Sequence, residues 1–208
     1  MKRKHMWAGI AGLAAASAGV ALWAIQSPSG AGPESKTPSV NVKVQEANAL
    51  LQGALLQESR HDFAGAARTY RRVLELDPRN KFAWYDLGVI AQQDGKTADA
   101  LASYDKALKI DPSFTSALFN EAILLKSSEP DRAAGLLRRA IAADPKAATA
   151  HLHLGHILAA QGPGRAGEAG EEFRRAVATD PSLQSQVPEE FRESASPSPT
   201  STPAGSTR

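Results

Sequence analysis

The chain of 208 residues contains no cysteine. This absence excludes disulfide bonds, thiolate metal sites, a cysteine nucleophile and an anchor built on a lipid-modified cysteine. It leaves the redox compartment of the protein open, because many proteins of oxidising compartments also lack disulfides.

The chain also lacks a strong excess of charge of either sign, with 24 basic and 22 acidic residues and a formal net charge of +2. Five of the basic residues but only one of the acidic residues lie outside positions 37–207, which leaves 19 basic against 21 acidic residues there and a net charge near −2. The slight overall excess of basic residues is therefore no evidence for nucleic acid binding, and we expect no nucleic acid partner.

Residues 6–25 form an uncharged, apolar run that closely follows the basic residues at positions 2–4. A helix of that length spans roughly 30 Å, the thickness of the hydrocarbon core of a bilayer. Trp7 and Trp23 lie near the two ends of the run, where aromatic rings favour the membrane interface. The pattern predicts a single N-terminal transmembrane helix, with the membrane contacted through residues 6–25.

Since basic clusters stay on the cytoplasmic side, we expect a single-pass membrane protein with a cytoplasmic N-terminus and the remaining chain outside the cytoplasm. The alternative is a cleaved signal peptide and a secreted protein, because residues 16–18 (Ala-Ser-Ala) offer a cleavage site. Small residues also follow helical spacing in the run and offer a surface for homo-oligomerisation, namely Gly9, Gly12, Ala16 and Gly19.

Residues 81–114 have the pattern of two short amphipathic helices joined by a turn. Apolar residues recur at helical spacing up to the Asp-Gly pair at 94–95, resume after it, and stop at the Asp-Pro pair at 111–112. Gly88 is small enough to let the two helices approach closely, and the large Tyr104 fills the space beside it. A unit this small cannot cover its own apolar faces, so similar neighbours are expected.

Three further copies of this unit follow from the Asp-Pro pairs, whose prolines stand at 78, 112, 145 and 181, at nearly regular intervals. The same order of residues precedes each proline: Ala66, Tyr70, Val73; Ala100, Tyr104, Ala107; Ala133, Leu137, Ala140; Ala169, Phe173, Ala176.

This periodic pattern resembles the tetratricopeptide repeat (TPR), a helix-turn-helix unit of about 34 residues. The second unit matches the family positions with Trp84, Leu87, Gly88, Ala100, Tyr104, Ala107 and Pro112. It departs from them at Ala91, where the family has Tyr, and the third unit has Glu121 where Leu is usual. The resemblance implies an all-α, right-handed superhelical solenoid of about four repeats. With the N-terminal helix in front of it, the chain is similar to membrane-anchored TPR proteins of bacteria.

We therefore divide the chain into a membrane anchor or signal segment (1–26), a Pro-, Ser- and Gly-rich linker (27–41), a TPR domain (42–192) and a Ser-, Pro- and Thr-rich tail (193–208). The repeats cover about 47–80, 81–114, 115–147 and 148–183. After them, Leu183, Val187 and Phe191 are expected to form a short cap over the last repeat. The tail is expected to be disordered because it lacks large apolar side chains.

The resemblance places one stripe of each first helix in a concave groove. In the second repeat this stripe consists of Phe82, Tyr85, Val89 and Gln92. Its equivalents are Asn48, Leu51, Leu55 and Glu58; Ser116, Phe119, Ile123 and Lys126; and Thr149, Leu152, His156 and Ala159. Stacked together, these residues form an aromatic and aliphatic floor suited to an apolar or amphipathic peptide. Packing between repeats is the alternative role for Leu51, Leu55, Ile123 and Leu152.

The groove residues that we select as the peptide-binding site are Phe82, Tyr85, Val89, Gln92, Phe119, Ile123, Lys126 and His156. This site predicts a protein-protein interaction or assembly scaffold that binds peptide segments at the membrane surface. One alternative is a self-associating accessory subunit of a cell-envelope or cytochrome-assembly complex. Another is a cytoplasmic TPR regulator, which requires that residues 6–25 do not insert into a membrane.

Catalysis is not predicted, and neither is a cofactor or a metal site. His153 and His156 share a helix face without an evident third ligand, and His151 lies at the packing position that Trp84 occupies in the second repeat. Neighbours such as Glu171 and Glu172 point apart on a helix and are expected to be solvated. The carboxylate clamp of chaperone-binding TPR domains is also missing, because its positions hold Leu51, Leu55, Asp86 and Ser116.

Overall fold

The computed structural model describes residues 40–195, which form α-helices and short 3-10 segments without a β-strand in that range. The nine α-helices of this part are α1 (Val40–Ser59), α2 (Phe63–Leu76), α3 (Lys81–Gln93), α4 (Thr97–Ile110), α5 (Thr115–Leu125), α6 (Pro130–Ala143), α7 (Ala148–Ala160), α8 (Ala166–Thr179) and α9 (Glu189–Ala195). The 3-10 segments Pro163–Arg165 and Pro181–Gln186 precede α8 and α9.

The expected transmembrane helix at residues 6–25 lies outside the described residues, as do the linker up to residue 39 and the tail from residue 196. Within 40–195, no helix combines the length and the apolar composition that crossing a bilayer requires.

The helices pack in consecutive pairs, α1 with α2, α3 with α4, α5 with α6 and α7 with α8. Each pair then contacts the next through its second helix and the following first helix. This is the connectivity of a stack of helix-turn-helix units in which each repeat covers the apolar faces of its neighbours. The expected all-helical, solenoid-like fold is thereby confirmed.

The four Asp-Pro pairs end the second helix of every repeat by the same local chemistry. The N–H of each aspartate donates to the carbonyl four residues earlier, over 2.8–2.9 Å. The carboxylate of the same aspartate accepts the N–H two residues later, over 3.0–3.1 Å. The intervening proline has no N–H to continue the helix, so the chain must turn toward the next repeat.

The turn inside each of the first two repeats needs one residue in the left-handed region of backbone space. Gly95 has φ 73° in the second repeat, and His61, at the equivalent position of the first repeat, has φ 62°. Asp62 then begins α2 by accepting the N–H of Gly65 over 2.8 Å.

Within the second and fourth repeats, the first and second helices touch where a small residue meets a large one. A Cβ atom added to Gly88 would lie 2.5 Å from Cε1 of Tyr104, and one added to Gly155 would lie 2.7 Å from Cε1 of Phe173. Both rings are completely buried, so there is no space for them to move into. Glycine is therefore required at these two positions by close approach of the helices.

Glu121 is the exception in this apolar core, as it is buried at a position where the family usually has Leu. Arg132 of α6 reaches across the repeat to form an ion pair with it. Burial raises the pKa of Glu121 and the guanidinium of Arg132 opposes this shift. The unusual carboxylate is thus accommodated by its own partner within the third repeat.

The cap after the fourth repeat is longer than expected. Leu183 and Val187 are buried, and the ring of Phe191 on α9 lies 5.1 Å from the ring of Phe173. Helix α9 continues to Ala195, which is itself buried. Positions 193–195 of the segment assigned to the disordered tail are therefore helical, because Ala195 still has apolar surface to cover.

Close packing at Gly88 gives a direct test of the fold. We expect Gly88→Ala to lower the free energy of unfolding by about 1–3 kcal/mol, because the added methyl group displaces the Tyr104 ring. Gly135→Ala in α6 is the matched control, since a Cβ there meets no atom within 4 Å. It should instead stabilise the protein by about 0.5–1 kcal/mol through helix propensity. Urea unfolding followed by circular dichroism measures both, and equal effects of the two changes would contradict this packing.

Candidate functional site

The first helices of successive repeats lie side by side and present their predicted stripe residues on one surface. The rings of Phe82 and Tyr85 contact that of Phe114, just before α5, with centroids 5.6 and 5.2 Å apart. Farther along, the ring of Phe119 on α5 lies 5.5 Å from that of His153 on α7. We call the surface formed by these stripes the first-helix groove.

The eight predicted groove residues differ in how far they reach the solvent. Phe82 is 49% exposed and Lys126 is also exposed. The other six are partly buried, namely Tyr85, Val89, Gln92, Phe119, Ile123 and His156. On α1, the stripe residue Leu55 is 42% exposed, and Val44, one turn before the stripe residue Asn48, is 45% exposed. Accessible apolar surface is thus concentrated at the α1–α3 end of the groove.

Gln92 and Tyr85 belong to a hydrogen-bond network beneath that surface. The Tyr104 hydroxyl donates to Oε1 of Gln92 over 2.7 Å. Nδ2 of Asn120 donates to the hydroxyl oxygens of Tyr85, over 3.1 Å, and of Tyr104, over 3.4 Å. Since this network joins α3, α4 and α5, the two predicted residues also fix the geometry between the second and third repeats.

The junction between the first and second repeats has carboxylates where this network has amides. Glu58, Tyr70 and Asp86 occupy the positions one repeat before Gln92, Tyr104 and Asn120, respectively. The Tyr70 side chain is fully buried, and its hydroxyl lies beside both carboxylates without reaching the geometry of a hydrogen bond. We call Glu58, Tyr70 and Asp86 the acidic triad.

Burial governs the ionisation of the acidic triad. It raises the pKa of Asp86 to about 7, with a further contribution from the charge of Glu58 and an opposing one from Tyr70. It also raises the pKa of Glu58. Among residues 40–195, no lysine, arginine or histidine forms an ion pair with either carboxylate. Two acidic groups are therefore held together at the groove without a basic neighbour to compensate them.

Sequence reasoning placed Glu58 in the groove stripe of the first repeat and treated Asp86 only as a position where the carboxylate clamp is missing. It did not connect either of them with Tyr70. The signal was present in the sequence, because Glu58 and Asp86 stand one repeat period before Gln92 and Asn120. Two carboxylates therefore replace two amides around the equivalent tyrosine.

The fourth repeat holds three histidines in different surroundings. His151 is buried, and its Nδ1 lies 2.6 Å from Oε2 of Glu172. The expectation that Glu172 is solvated is therefore wrong, as its side chain is only 14% exposed in this pair. Burial lowers the pKa of His153 to about 4 and also lowers that of His156, so both rings are neutral near pH 7. In the part of the chain that the structure describes, no group of three potential metal ligands occurs.

A separate cleft of about 910 Å³ opens between α2, α3 and α4, on a different face of α3. Its apolar lining includes Phe63, Leu74, Trp84 and Leu87, with Arg68 and Arg71 also beside it. None of the eight predicted groove residues contributes to this cleft. Its size and apolar lining make it the competing surface for a partner.

The family model of the tetratricopeptide repeat matches residues 46–113 and 123–183, well over half of the chain. The chain belongs to the tetratricopeptide repeat family. Among curated TPR relatives, the peroxisomal targeting signal receptor of Komagataella phaffii is 32% identical over 82 residues, which are 39% of this chain. The chain spans only 14% of the length of that receptor.

Solved TPR structures resemble this fold over most of its length. The type IV pilus biogenesis factor PilW has a TM-score of 0.60 at 25% identity, over 73% of this chain and 70% of PilW. YrrB, described as a TPR protein with an unusual peptide-binding site, has a TM-score of 0.60 at 23% identity, over 71% of this chain and 78% of YrrB. These likenesses show the fold that the repeat pattern indicated.

The acidic triad gives the protein a pH dependence of stability. Because the pKa of Asp86 rises from 3.8 to about 7 on folding, its favourable contribution is complete below about pH 4 and is lost as the pH rises through 7. Asp86→Asn has no ionisable group at this position, so its stability does not fall in this way as the pH rises. We expect the variant to exceed the wild type by about 1–3 kcal/mol in free energy of unfolding at pH 8, and to match it within about 0.5 kcal/mol at pH 4.

Urea titrations at pH 4, 6 and 8 measure this difference. Asn120→Asp is the reverse control, because it places a carboxylate at the position of the third repeat that is equivalent to Asp86. It should lose stability with rising pH more steeply than the wild type. A constant difference between Asp86→Asn and the wild type across this range would show that Asp86 is not buried as described.

Proposed function

We propose that the protein is a protein-protein interaction scaffold that binds a peptide segment of its partner in the first-helix groove. The observation that carries the proposal is the distribution of exposed apolar surface. In residues 40–195, the large apolar side chains with the greatest exposure all lie on the first helices α1 and α3: Val42, Val44, Leu55, Leu56 and Phe82. Leu55 and Phe82 belong to the groove stripe, and Val44 lies one helical turn before the stripe residue Asn48 on α1. We refer to these three exposed side chains as the apolar patch.

The rigid floor beneath this patch favours binding of an extended or helical peptide. The amide network around Tyr104 and the aromatic contacts of Phe114 hold α3 and α5 in fixed relation. A partner therefore meets a surface that needs little ordering on binding, which reduces the entropic cost. Peptide binding by YrrB supports the assignment as a family analogy.

The proposal includes attachment to a membrane through residues 6–25, with the repeats outside the cytoplasm. The charge and length pattern of residues 1–26 supports it, and a pilus biogenesis factor among similar structures agrees with a role in assembling cell-envelope complexes of a bacterium. Attachment would confine the scaffold to partners at the same membrane and raise their effective concentration.

Alanine exchanges at Tyr85 or Phe119 would disturb packing, so the binding test uses exposed positions only. Leu55→Ser/Phe82→Ser removes apolar surface from the groove. Val42→Ser/Leu56→Ser is the matched control, because these side chains are 49% and 51% exposed on another face of α1. Ala102→Arg, at an exposed position of α4, fills the cleft between α2 and α4 without altering the groove.

We expect crosslinking pull-downs from native membranes to lose about tenfold or more of the specific partner with Leu55→Ser/Phe82→Ser, and to change little with the other two variants. Loss with Ala102→Arg alone would move the binding site to the cleft. Partners retained by every variant would contradict a peptide site on either surface. A dimer of the full chain that resists the groove exchange would favour the alternative of a self-associating accessory subunit.

Membrane attachment is tested separately by fractionation of the tagged full chain. We expect it to stay in the membrane pellet after alkaline carbonate extraction, and a protease added outside the cytoplasmic membrane should digest the repeats. Recovery in the soluble cytoplasmic fraction would instead favour the cytoplasmic regulator. A mature N-terminus following residue 18 would establish a cleaved signal peptide.

A further inference from the structure

We propose that the acidic triad of Glu58, Tyr70 and Asp86 binds a lysine or arginine side chain of the partner peptide. This inference rests on the proposed function and specifies the chemistry of the ligand at the α1–α3 end of the first-helix groove. It reverses the polarity of the carboxylate clamp, whose basic residues are missing from this chain.

The internal repeat provides the reference for what the triad lacks. Where the second repeat meets the third, the neutral side chains of Gln92 and Asn120 satisfy the Tyr104 hydroxyl within the protein. In the first repeat, the equivalent hydroxyl of Tyr70 is buried with no hydrogen bond of normal geometry. The polar positions that are internally satisfied in one repeat are therefore incomplete in the other.

Carboxylates at the two flanking positions define the missing charge. Burial of two like charges beside each other is unfavourable unless a proton or a cation neutralises one of them, whereas amides would fill the same space without that penalty. Two buried carboxylates at a groove end lower the stability of the unbound protein, as binding sites often do.

The side chains around the acidic triad favour an organic cation over a metal ion. Among the described residues, the triad is not part of any group of three His, Cys, Asp or Glu side chains that could hold a metal ion. Exposed apolar groups stand next to the acids instead, because Leu55 is three residues before Glu58 and Phe82 is four residues before Asp86 on the same helix faces. They can pack against the alkyl stem of a lysine or arginine while its charged end reaches the carboxylates.

The distribution of charge along the groove also indicates which end of the groove receives the basic residue of the peptide. The acidic triad lies at the α1–α3 end, whereas Lys126 is exposed at the end of α5 and His153 and His156 are neutral near pH 7. A peptide with its basic residue at the first repeat and neutral or acidic residues beyond it therefore matches the groove better than the reverse arrangement.

The test begins with peptides of twelve residues, selected from a random phage-displayed library on the immobilised full chain in detergent. Each selected peptide is synthesised with its lysine or arginine intact and with norleucine or citrulline in that place. Affinities are measured by fluorescence anisotropy for the wild type, for Glu58→Gln/Asp86→Asn and for the control Asp105→Asn/Glu171→Gln. The control removes the same charge from exposed ion pairs with Lys109 and Arg175.

We expect Glu58→Gln/Asp86→Asn, which recreates the amide pattern around Tyr104, to weaken binding of the basic peptides at least tenfold. The control should bind them within twofold of the wild type, and the neutral analogues should bind the wild type and the amide variant alike. Urea unfolding should show the amide variant to be at least as stable as the wild type at pH 8, so that weaker binding does not arise from unfolding.

The outcomes separate this inference from the proposed function. If selected peptides bind the groove but lack a basic residue, or bind the amide variant as tightly as the wild type, the proposed function stands and the inference is overturned. If no peptide binds the wild type, or if Ala102→Arg abolishes binding while Leu55→Ser/Phe82→Ser does not, both are overturned.

Discussion

One fully buried side chain in the second helix of each repeat lies at the same position of the repeat pattern: Tyr70, Tyr104, Leu137 and Phe173. In the second and fourth repeats this side chain meets a glycine of the first helix, Gly88 or Gly155, and the contact sets the distance between the two helices. Because the buried position recurs with nearly the same spacing along the chain, the repeats stack regularly and their first helices come to lie side by side. The groove is a consequence of this packing, because the helix face that carries the small residues packs inward and the adjacent face stays exposed.

Much of this architecture could be predicted from the sequence, because it depends on local and periodic chemistry. The Asp-Pro pairs identified the end of each repeat, and in the structure the aspartate and proline terminate the helix by their own hydrogen-bonding properties. The order of small and large apolar residues identified the pairing of the helices. The family model of the repeat matches residues 46–113 and 123–183.

The functional surface was less accessible to sequence reasoning, because exposure depends on contacts between repeats. Tyr85 and Gln92 fit the groove stripe, yet both also hold neighbouring elements together through Asn120 and Tyr104. Phe82 has the same periodicity and remains half exposed. Likewise, Glu172 was predicted to be a solvated surface carboxylate, but in the structure it lies against His151. A helical period specifies a face of a helix, but not which neighbour covers that face.

The acidic triad shows how near-identical repeats acquire different chemistry. A change from amide to carboxylate at two positions leaves the packing around the tyrosine ring in place and alters only charge and hydrogen bonding. The junction of the first and second repeats therefore keeps the architecture of the next junction, while burial raises the pKa of Asp86 to about 7. In the proposed binding mode, this change gives one end of the groove its preference for a basic residue.

We propose that recognition takes place on the first helices, at the apolar and acidic end of the groove. A crystal structure of the protein with a bound peptide selected for affinity would decide this. We expect the peptide to lie across α1 and α3, in contact with Leu55 and Phe82, with a lysine or arginine between Glu58 and Asp86. A peptide bound in the cleft between α2 and α4 would show that recognition takes place elsewhere.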